Sequence, residues 1–147
     1  MIDIHDTRVE KTVLKHSQDR NIHGKIFGGL LMRESLELAI VCAYKQGHGA
    51  MPRIFNVDDV HFIQPVSVGS VVRYVAKMNY TQGRIANVHV RVEKVEKEKT
   101  KIFNNLVFEL TVAMFLDQPL PEVYPTSYKE AMEYIGGKRK LTKIISE

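Results

Sequence analysis

The sequence predicts an α+β fold in which a curved antiparallel sheet is wrapped around one long central helix, with a short helix near the C-terminal end. Residues 30–46 contain neither proline nor glycine, and their apolar side chains cover most of a helical circumference. A helix with so little polar surface has to be enclosed by other elements. Three or four strand-like segments follow it, without another long helix. An antiparallel sheet is therefore expected to enclose the helix.

The elements that precede the sheet are a short strand and a loop. Residues 12–16 (TVLKH) combine β-branched and apolar side chains and predict the first strand. A glycine-containing loop at 24–29 follows and leads into a segment rich in Leu, Met, Ala and Glu, which favour helix. Gly47-His48-Gly49 is expected to end that helix. The loop 24–29 is thus predicted to lie at the helix N-terminus.

Three central strands are predicted from the alternation of apolar and polar residues. Residues 53–62 (RIFNVDDVHF) alternate around an irregular acidic middle at Asp58-Asp59, which indicates a bulge. Residues 71–80 and 85–95 also alternate, and the short turn Thr81-Gln82-Gly83 separates them. These two segments predict a β-hairpin.

The C-terminal part predicts one more strand and one short helix. The charged run 93–101 is typical of a solvated hairpin tip, and the apolar residues of 102–115 share one face, as in a strand that covers the helix. Three prolines at 119, 121 and 125 end the strand. Residues 127–134 predict a short helix closed by Gly136-Gly137, and the residues from 138 onwards are expected to be irregular.

Length and composition indicate one ordinary globular domain. The chain has 147 residues, of which 44% are hydrophobic and 26% charged. We predict a single domain, 1–147, with its core at about 10–117 and a C-terminal extension at 118–147. No apolar run is long enough to predict a membrane span. The single cysteine, Cys42, cannot form an internal disulfide and is interpreted as a small core residue.

Three segments of the sequence together resemble the hotdog-fold acyl-CoA thioesterases. They are NxHGxIFGGxLM at 21–32, VDDVHFxxPVxVGSVV at 57–72, and FLDQPLPEVYPTSYKEAMEYIGGKR at 115–139. The last segment is similar to the end of the second hotdog repeat in the mitochondrial type of double-hotdog acyl-CoA thioesterase. The resemblance covers roughly residues 10–139. It implies a hotdog fold and the hydrolysis of acyl-CoA to a free fatty acid and coenzyme A.

The resemblance also assigns roles around the loop at the helix start. A thioester carbonyl needs polarisation, and free N–H groups and the helix dipole converge at Gly28 and Gly29. The family places an oxyanion-stabilising N–H at the position of Gly28, and Phe27 is expected to contact the acyl or pantetheine arm. The match of Asn21 to the family's asparagine implies that it positions the water or the carbonyl. Without the resemblance, the glycines would be read as a tight turn and Asn21 as a turn or cap residue.

The catalytic acid of the family has no counterpart here. The resemblance implies an acid on the second helical turn, eight residues after Gly28, where this chain has Leu36. Leucine can neither attack a thioester nor activate water. The nearby Glu37 is a candidate acid because a carboxylate on an apolar helix has a raised proton affinity. The other interpretation of Glu37 is an ion pair with Arg33, one turn earlier.

The formal charge of +4 is consistent with a polyanionic ligand such as coenzyme A. Basic and acidic residues are interleaved and no nucleic-acid motif is present, so we predict no nucleic-acid partner. Arg84 and Arg91 on the hairpin are candidate contacts to the coenzyme A phosphates, or else solvated surface charges. The histidines show no metal-site spacing, and neither a metal nor another cofactor is expected.

Two functions from different classes follow from these residues. The first is an acyl-CoA thioesterase, with this chain as one unit of a two-hotdog or homo-oligomeric assembly. The alternative, which Leu36 supports, is a catalytically deficient hotdog domain that serves dimerisation or acyl-CoA binding. The first ten residues contain Asp3, Asp6 and Glu10 and do not predict a targeting segment. We expect an intracellular protein, and the resemblance alone suggests mitochondria.

Overall fold

The computed structural model describes residues 1–16, 28–95 and 105–146. In chain order the elements are β1 (Ile2–Asp3), a 3-10 helix (Ile4–Thr7), β2 (Val9–Leu14), α1 (Gly28–Gln46), β3 (Arg53–Phe62), β4 (Val71–Gln82), β5 (Ile85–Lys94), β6 (Leu106–Phe115), β7 (Val123–Tyr124) and α2 (Tyr128–Ser146). A five-stranded sheet has the order β2-β4-β5-β6-β3, and every neighbouring pair is antiparallel. The predicted α+β hotdog architecture is confirmed.

The core lies between α1 and one face of the sheet. Every second residue of β5 is completely buried, namely Ala86, Val88, Val90 and Val92, as strand geometry requires for a face that packs on a helix. On α1 the buried residues are Leu31, Ser35, Leu38, Ala39, Cys42 and Ala43. The predicted helix is therefore present, and burial of this face against the sheet stabilises it. It is not enclosed on all sides as expected, because Val41 and Tyr44 are 47% and 43% exposed.

Cys42 belongs to this core, as predicted. Its side chain is fully buried, and its Sγ donates to the backbone oxygen of Thr7 at 3.3 Å. Burial raises the pKa of the Cys42 thiol to about 12, so the thiol stays protonated at neutral pH. Cys42 is therefore a packing residue that ties α1 to the 3-10 helix.

The strand β3 forms one edge of the sheet and is irregular in its middle. It pairs with β6 on one side, with register shifts between Ile54 and Asn56 and between Asp58 and His61. Asp59 has a φ of 50°, in the left-handed region that non-glycine residues rarely adopt. The bulge predicted from the acidic middle is thus confirmed. Several large apolar side chains on or just after this edge are exposed: Phe55, Val57, Phe62 and Ile63.

The strand predicted at 12–16 lies earlier, because β2 spans Val9–Leu14. Lys15 still exchanges backbone hydrogen bonds with the residues just before β4, because its N–H bonds to the oxygen of Ser70 and its oxygen accepts from the N–H of Gly69. The strand predicted at 102–115 is β6, which begins at Leu106, and residues 102–104 of its predicted start lie outside the described residues.

The C-terminal helix is longer than predicted. α2 continues through Gly136-Gly137 to Ser146, so the expectation of a short helix followed by irregular chain is wrong. A Cβ added at Gly137 would lie 3.2 Å from the Cβ of Tyr80 and 3.3 Å from Oδ1 of Asn87. The glycine therefore permits close packing of α2 on the sheet. Beyond it, Leu141 is completely buried against Tyr80 and Ala113. Within the described ranges, no helix has both the length and the apolar character needed to cross a membrane.

Candidate functional site

The described part of α1 begins with two glycines. The helix begins at Gly28, where the first N–H groups have no acceptor inside the helix. Gly28 is half-buried and Gly29 is exposed. The first turn of α1 carries no acidic side chain that would neutralise the positive end of the helix dipole. This end of α1 can therefore stabilise negative charge that develops on a bound oxygen.

An aromatic ring lies directly against this helix start. A Cβ added at Gly28 would be 2.9 Å from Cε1 of Phe62, which is too close for any real Cβ. Phe62 ends β3 and packs on Phe108, with ring centroids 4.7 Å apart and an interplanar angle of 53°. Sequence reasoning missed Phe62 as a site residue, because the periodicity of β3 shows a strand residue and gives no sign of its distance to Gly28.

Two of the predicted site residues, Asn21 and Phe27, lie outside the described residues. Their roles in positioning the water or carbonyl and in contacting the substrate stay predictions. Both precede Gly28 in sequence, and Phe27 is its direct neighbour in the chain.

The two carboxylates nearest to Leu36 are both engaged in ion pairs. Leu36 itself is half-buried and packs against the hydrophobic core. Glu37 accepts from Nε of Arg33 at 3.2 Å, and the two side chains are 57% and 76% exposed. This is the i,i+4 pair that was the alternative interpretation of Glu37, and at such exposure it contributes little to stability.

Glu34 forms a buried ion pair with Lys15, a residue for which the sequence predicted only a place in a strand. Nζ of Lys15 lies 2.7 Å from Oε2 of Glu34, and the Lys15 side chain is completely buried. The same Nζ lies 5.3 Å from the centroid of the Tyr74 ring. The pair joins the end of β2 to the second turn of α1. A lysine at the end of an apolar strand was the only signal for it in the sequence.

The two candidate phosphate-binding arginines lie apart from the helix start. Arg84 is exposed in the turn between β4 and β5. Arg91 alternates with the buried residues of β5 and so lies on the face of the sheet opposite α1, with its Nε 3.6 Å from Oε2 of Glu93. Within one protomer, the structure therefore does not bring Arg91 to Gly28.

A polar cavity of about 190 Å³ lies on that opposite face, beneath α2. Its lining consists of Asn79, Asn87, His89, Thr111, Glu133, Gly136, Gly137 and Lys140. Burial lowers the pKa of His89, and the nearby carboxylates of Glu109 and Glu133 oppose this shift only in part. The His89 ring, 3.3 Å from Glu109, is therefore neutral at physiological pH. The sheet separates this cavity from the start of α1.

Comparison with known proteins gives a consistent picture. The sequence profile described as "Thioesterase superfamily" matches residues 23–101. The mouse protein "Acyl-coenzyme A thioesterase 10, mitochondrial" is 34% identical over 134 residues, which cover 91% of this chain and 30% of that protein. The human "Acyl-coenzyme A thioesterase 9, mitochondrial" matches with the same identity and coverage. The chain thus spans about a third of the length of these curated relatives.

Solved structures share the fold over nearly the whole chain. An acyl-CoA hydrolase from Staphylococcus aureus, solved as an aspartate-to-alanine variant, has a TM-score of 0.83 at 26% identity and covers 98% of this chain and 93% of that one. The same hydrolase has been solved in complex with butyryl coenzyme A, with a TM-score of 0.80. An acyl-CoA hydrolase from Bacillus cereus superposes with a TM-score of 0.85 at 22% identity, and so shows the fold alone.

Proposed function

This chain belongs to the thioesterase superfamily, and from that membership we propose that it is a hotdog unit of an acyl-CoA thioesterase. The reaction is the hydrolysis of acyl-CoA to a free fatty acid and coenzyme A, and it requires no additional cofactor. The observation that carries the proposal is the start of α1 at Gly28, with no acidic side chain in its first turn. The curated relatives named as acyl-coenzyme A thioesterases support the same substrate class.

The proposed mechanism uses the helix start to stabilise the oxyanion. The thioester oxygen accepts the N–H of Gly28, and its negative charge grows as water attacks the carbonyl carbon. The side-chain amide of Asn21 orients that water or the carbonyl. A base must then remove the proton of the water, and Leu36 cannot do so. This chain therefore supplies the polarising part of the site, and the acid comes from elsewhere in an active assembly.

The spacing of two substituted residues in the Staphylococcus aureus hydrolase supports the view that this chain has the asparagine of the site and lacks the acid. Its characterised variants include an asparagine and an aspartate that are fifteen positions apart. Asn21 and Leu36 are also fifteen positions apart in this chain. The asparagine is kept here and the carboxylate is replaced. A catalytically deficient unit that binds acyl-CoA is the second candidate function, and Leu36 is the observation that favours it.

We further propose that the partner is a second hotdog unit that docks along the edge strand β3. An open strand edge with exposed apolar side chains is a template for pairing with another sheet. Phe55 and Val57 on β3 are 46% and 37% exposed. The compartment proposed is the mitochondrion, which the names of the mouse and human relatives state for those proteins.

Assembly through β3 predicts a concentration-dependent change in mass. Light scattering over a dilution series is expected to show a dimer or larger species that dissociates at low concentration. A lysine at an exposed position of a strand edge opposes pairing, so Phe55→Lys should shift dissociation to at least tenfold higher concentration. Leu14→Lys on the other edge, β2, is the matched control because Leu14 is also exposed, at 48%. A monomer at every concentration of the unmodified chain would contradict the assembly.

Asn21→Ala is expected to lower the turnover of acyl-CoA at least about tenfold in an assembly that is active. The reason is that alanine can neither accept nor donate the hydrogen bonds that orient the water or the carbonyl. Steady-state kinetics measures the effect, and thermal unfolding checks that stability is little changed. Unchanged turnover would remove Asn21 from the mechanism.

A further inference from the structure

The ring of Phe62 occupies an unusual place for a large apolar side chain. It is 59% exposed, yet it is held in position by the fully buried Phe108 at a centroid distance of 4.7 Å. A mostly exposed aromatic ring costs stability through unburied apolar surface, unless a ligand or a partner covers it. The ring lies at the end of β3, beside the first residue of α1. The ring is therefore a neighbour of the helix start.

The distance between this ring and residue 28 is short. Gly28 begins α1 and is absent from the glycines with positive φ in the described part of the chain, so its backbone does not require glycine. A Cβ at this position would lie 2.9 Å from Cε1 of Phe62, so the mostly exposed ring would have to move to admit it. The ring thus lies in van der Waals contact with the residue whose N–H is proposed to bind the thioester oxygen.

The position of the Phe62 ring beside Gly28 determines which part of a bound acyl-CoA it can contact. A carbonyl oxygen bonded to the N–H of Gly28 lies about 2.9 Å from that nitrogen. The two groups attached to the carbonyl carbon, the acyl chain and the sulfur, then lie within a few ångströms of the Phe62 ring. The pantetheine amides beyond the sulfur need hydrogen-bond partners, which a phenylalanine ring does not provide. An alkyl chain needs only apolar surface, and the exposed face of the Phe62 ring, which the buried Phe108 holds in place, provides it.

We propose that Phe62 is the acyl-chain contact of this site and sets the preference for acyl length at the start of α1. The proposal rests on the proposed thioesterase function. Burying alkyl carbon on the ring stabilises the complex in proportion to the apolar area removed from water. Acyl-CoA affinity should therefore rise with chain length, and this rise should depend on Phe62.

The test measures the affinity of acyl-CoA ketone analogues, in which a methylene replaces the thioester sulfur, so that binding is observed without hydrolysis. Titration calorimetry with the acetyl, butyryl and octanoyl analogues gives the dissociation constants for the full chain. Phe62→Ala should weaken octanoyl binding about tenfold and acetyl binding less than about twofold. Phe62→Gln keeps the bulk of the side chain without its apolar surface, and should act in the same direction. Tyr128→Ala removes an aromatic side chain that is 82% exposed on α2 and serves as the control.

A second arm tests the contact between the two residues. Gly28→Ala should weaken the binding of every analogue, since the new methyl group collides with the ring. The double variant that carries both Gly28→Ala and Phe62→Ala should bind the acetyl analogue more tightly than Gly28→Ala alone. The reason is that the new methyl group at position 28 then has room. Equal loss of affinity for all three lengths in Phe62→Ala and Phe62→Gln would overturn the proposal for Phe62. If the unmodified chain binds no analogue at all, the proposed function fails, and the role of Phe62 fails with it.

Discussion

Leu36→Asp is expected to raise the rate of acyl-CoA hydrolysis by at least about a hundredfold over the unmodified chain, since loss of a catalytic base commonly costs several orders of magnitude. The position is at the start of the third turn of α1, eight residues after Gly28. Leu36 is half-buried, so an aspartate there would have a raised proton affinity and could accept the proton of the attacking water. Steady-state hydrolysis of several acyl lengths measures the gain.

Leu36→Asn is the matched control, because it has nearly the same shape as aspartate and cannot act as a base. If Leu36→Asp hydrolyses acyl-CoA no faster than Leu36→Asn, a carboxylate at position 36 does not supply the missing catalytic group. The unmodified chain should also gain activity when it is paired with a hotdog unit that carries the acid. That second gain would show that Gly28 and Asn21 work when a carboxylate is supplied from another unit.

Glu34→Ala is expected to lower the free energy of unfolding by about 3–5 kcal/mol, because it leaves the ammonium of Lys15 buried without its partner. The Lys15 side chain is completely buried, and the Glu34 side chain is 16% exposed. Urea denaturation followed by circular dichroism measures the change. The control on the same helix is Glu37→Ala, which breaks the exposed pair with Arg33 and should cost less than about 1 kcal/mol.

Replacing both partners sharpens this test. The variant with Lys15→Met and Glu34→Leu removes the buried charge together with its partner, and should recover most of the stability that Glu34→Ala loses. Equal losses in Glu34→Ala and Glu37→Ala would show that the buried pair is not what stabilises the join between β2 and α1. The pair also bears on catalysis, since a Glu34 carboxylate bound to Lys15 at 2.7 Å is not free to replace the missing acid.

The central helix and the strand at 53–62 could be predicted from the sequence for different reasons. The helix segment 30–46 has no proline or glycine and is rich in helix-forming residues, and the strand has an alternating pattern. The apolar segment 30–46 forms a helix as expected, and the sheet covers one face of it. The bounds of β3 match the prediction, and its acidic middle marks the bulge at Asp58-Asp59. Local pattern and tertiary packing agree in these elements, so the local pattern was sufficient.

Elements whose form depends on distant contacts were predicted less well. Gly136-Gly137 were interpreted as a helix end, but Gly137 is small because α2 packs closely on Tyr80 and Asn87. That contact is invisible in the sequence. For the same reason the roles of two residues could not be predicted from the sequence: Lys15 is nineteen positions from Glu34, and Phe62 lies far along the chain from Gly28. The departure at Leu36 could be seen in sequence because the resemblance fixes its distance from Gly28.

The central claim is that this chain has an acyl-CoA site with a polarising helix start and no acid of its own. The most direct measurement is the turnover of saturating acyl-CoA by the unmodified chain beside Glu37→Gln, with binding of the substrate checked in the same samples. We predict that both proteins bind acyl-CoA and that both are nearly inert, with no difference between them. Rapid turnover by the unmodified chain that Glu37→Gln abolishes would contradict the claim, because Glu37 would then be the acid of a complete site.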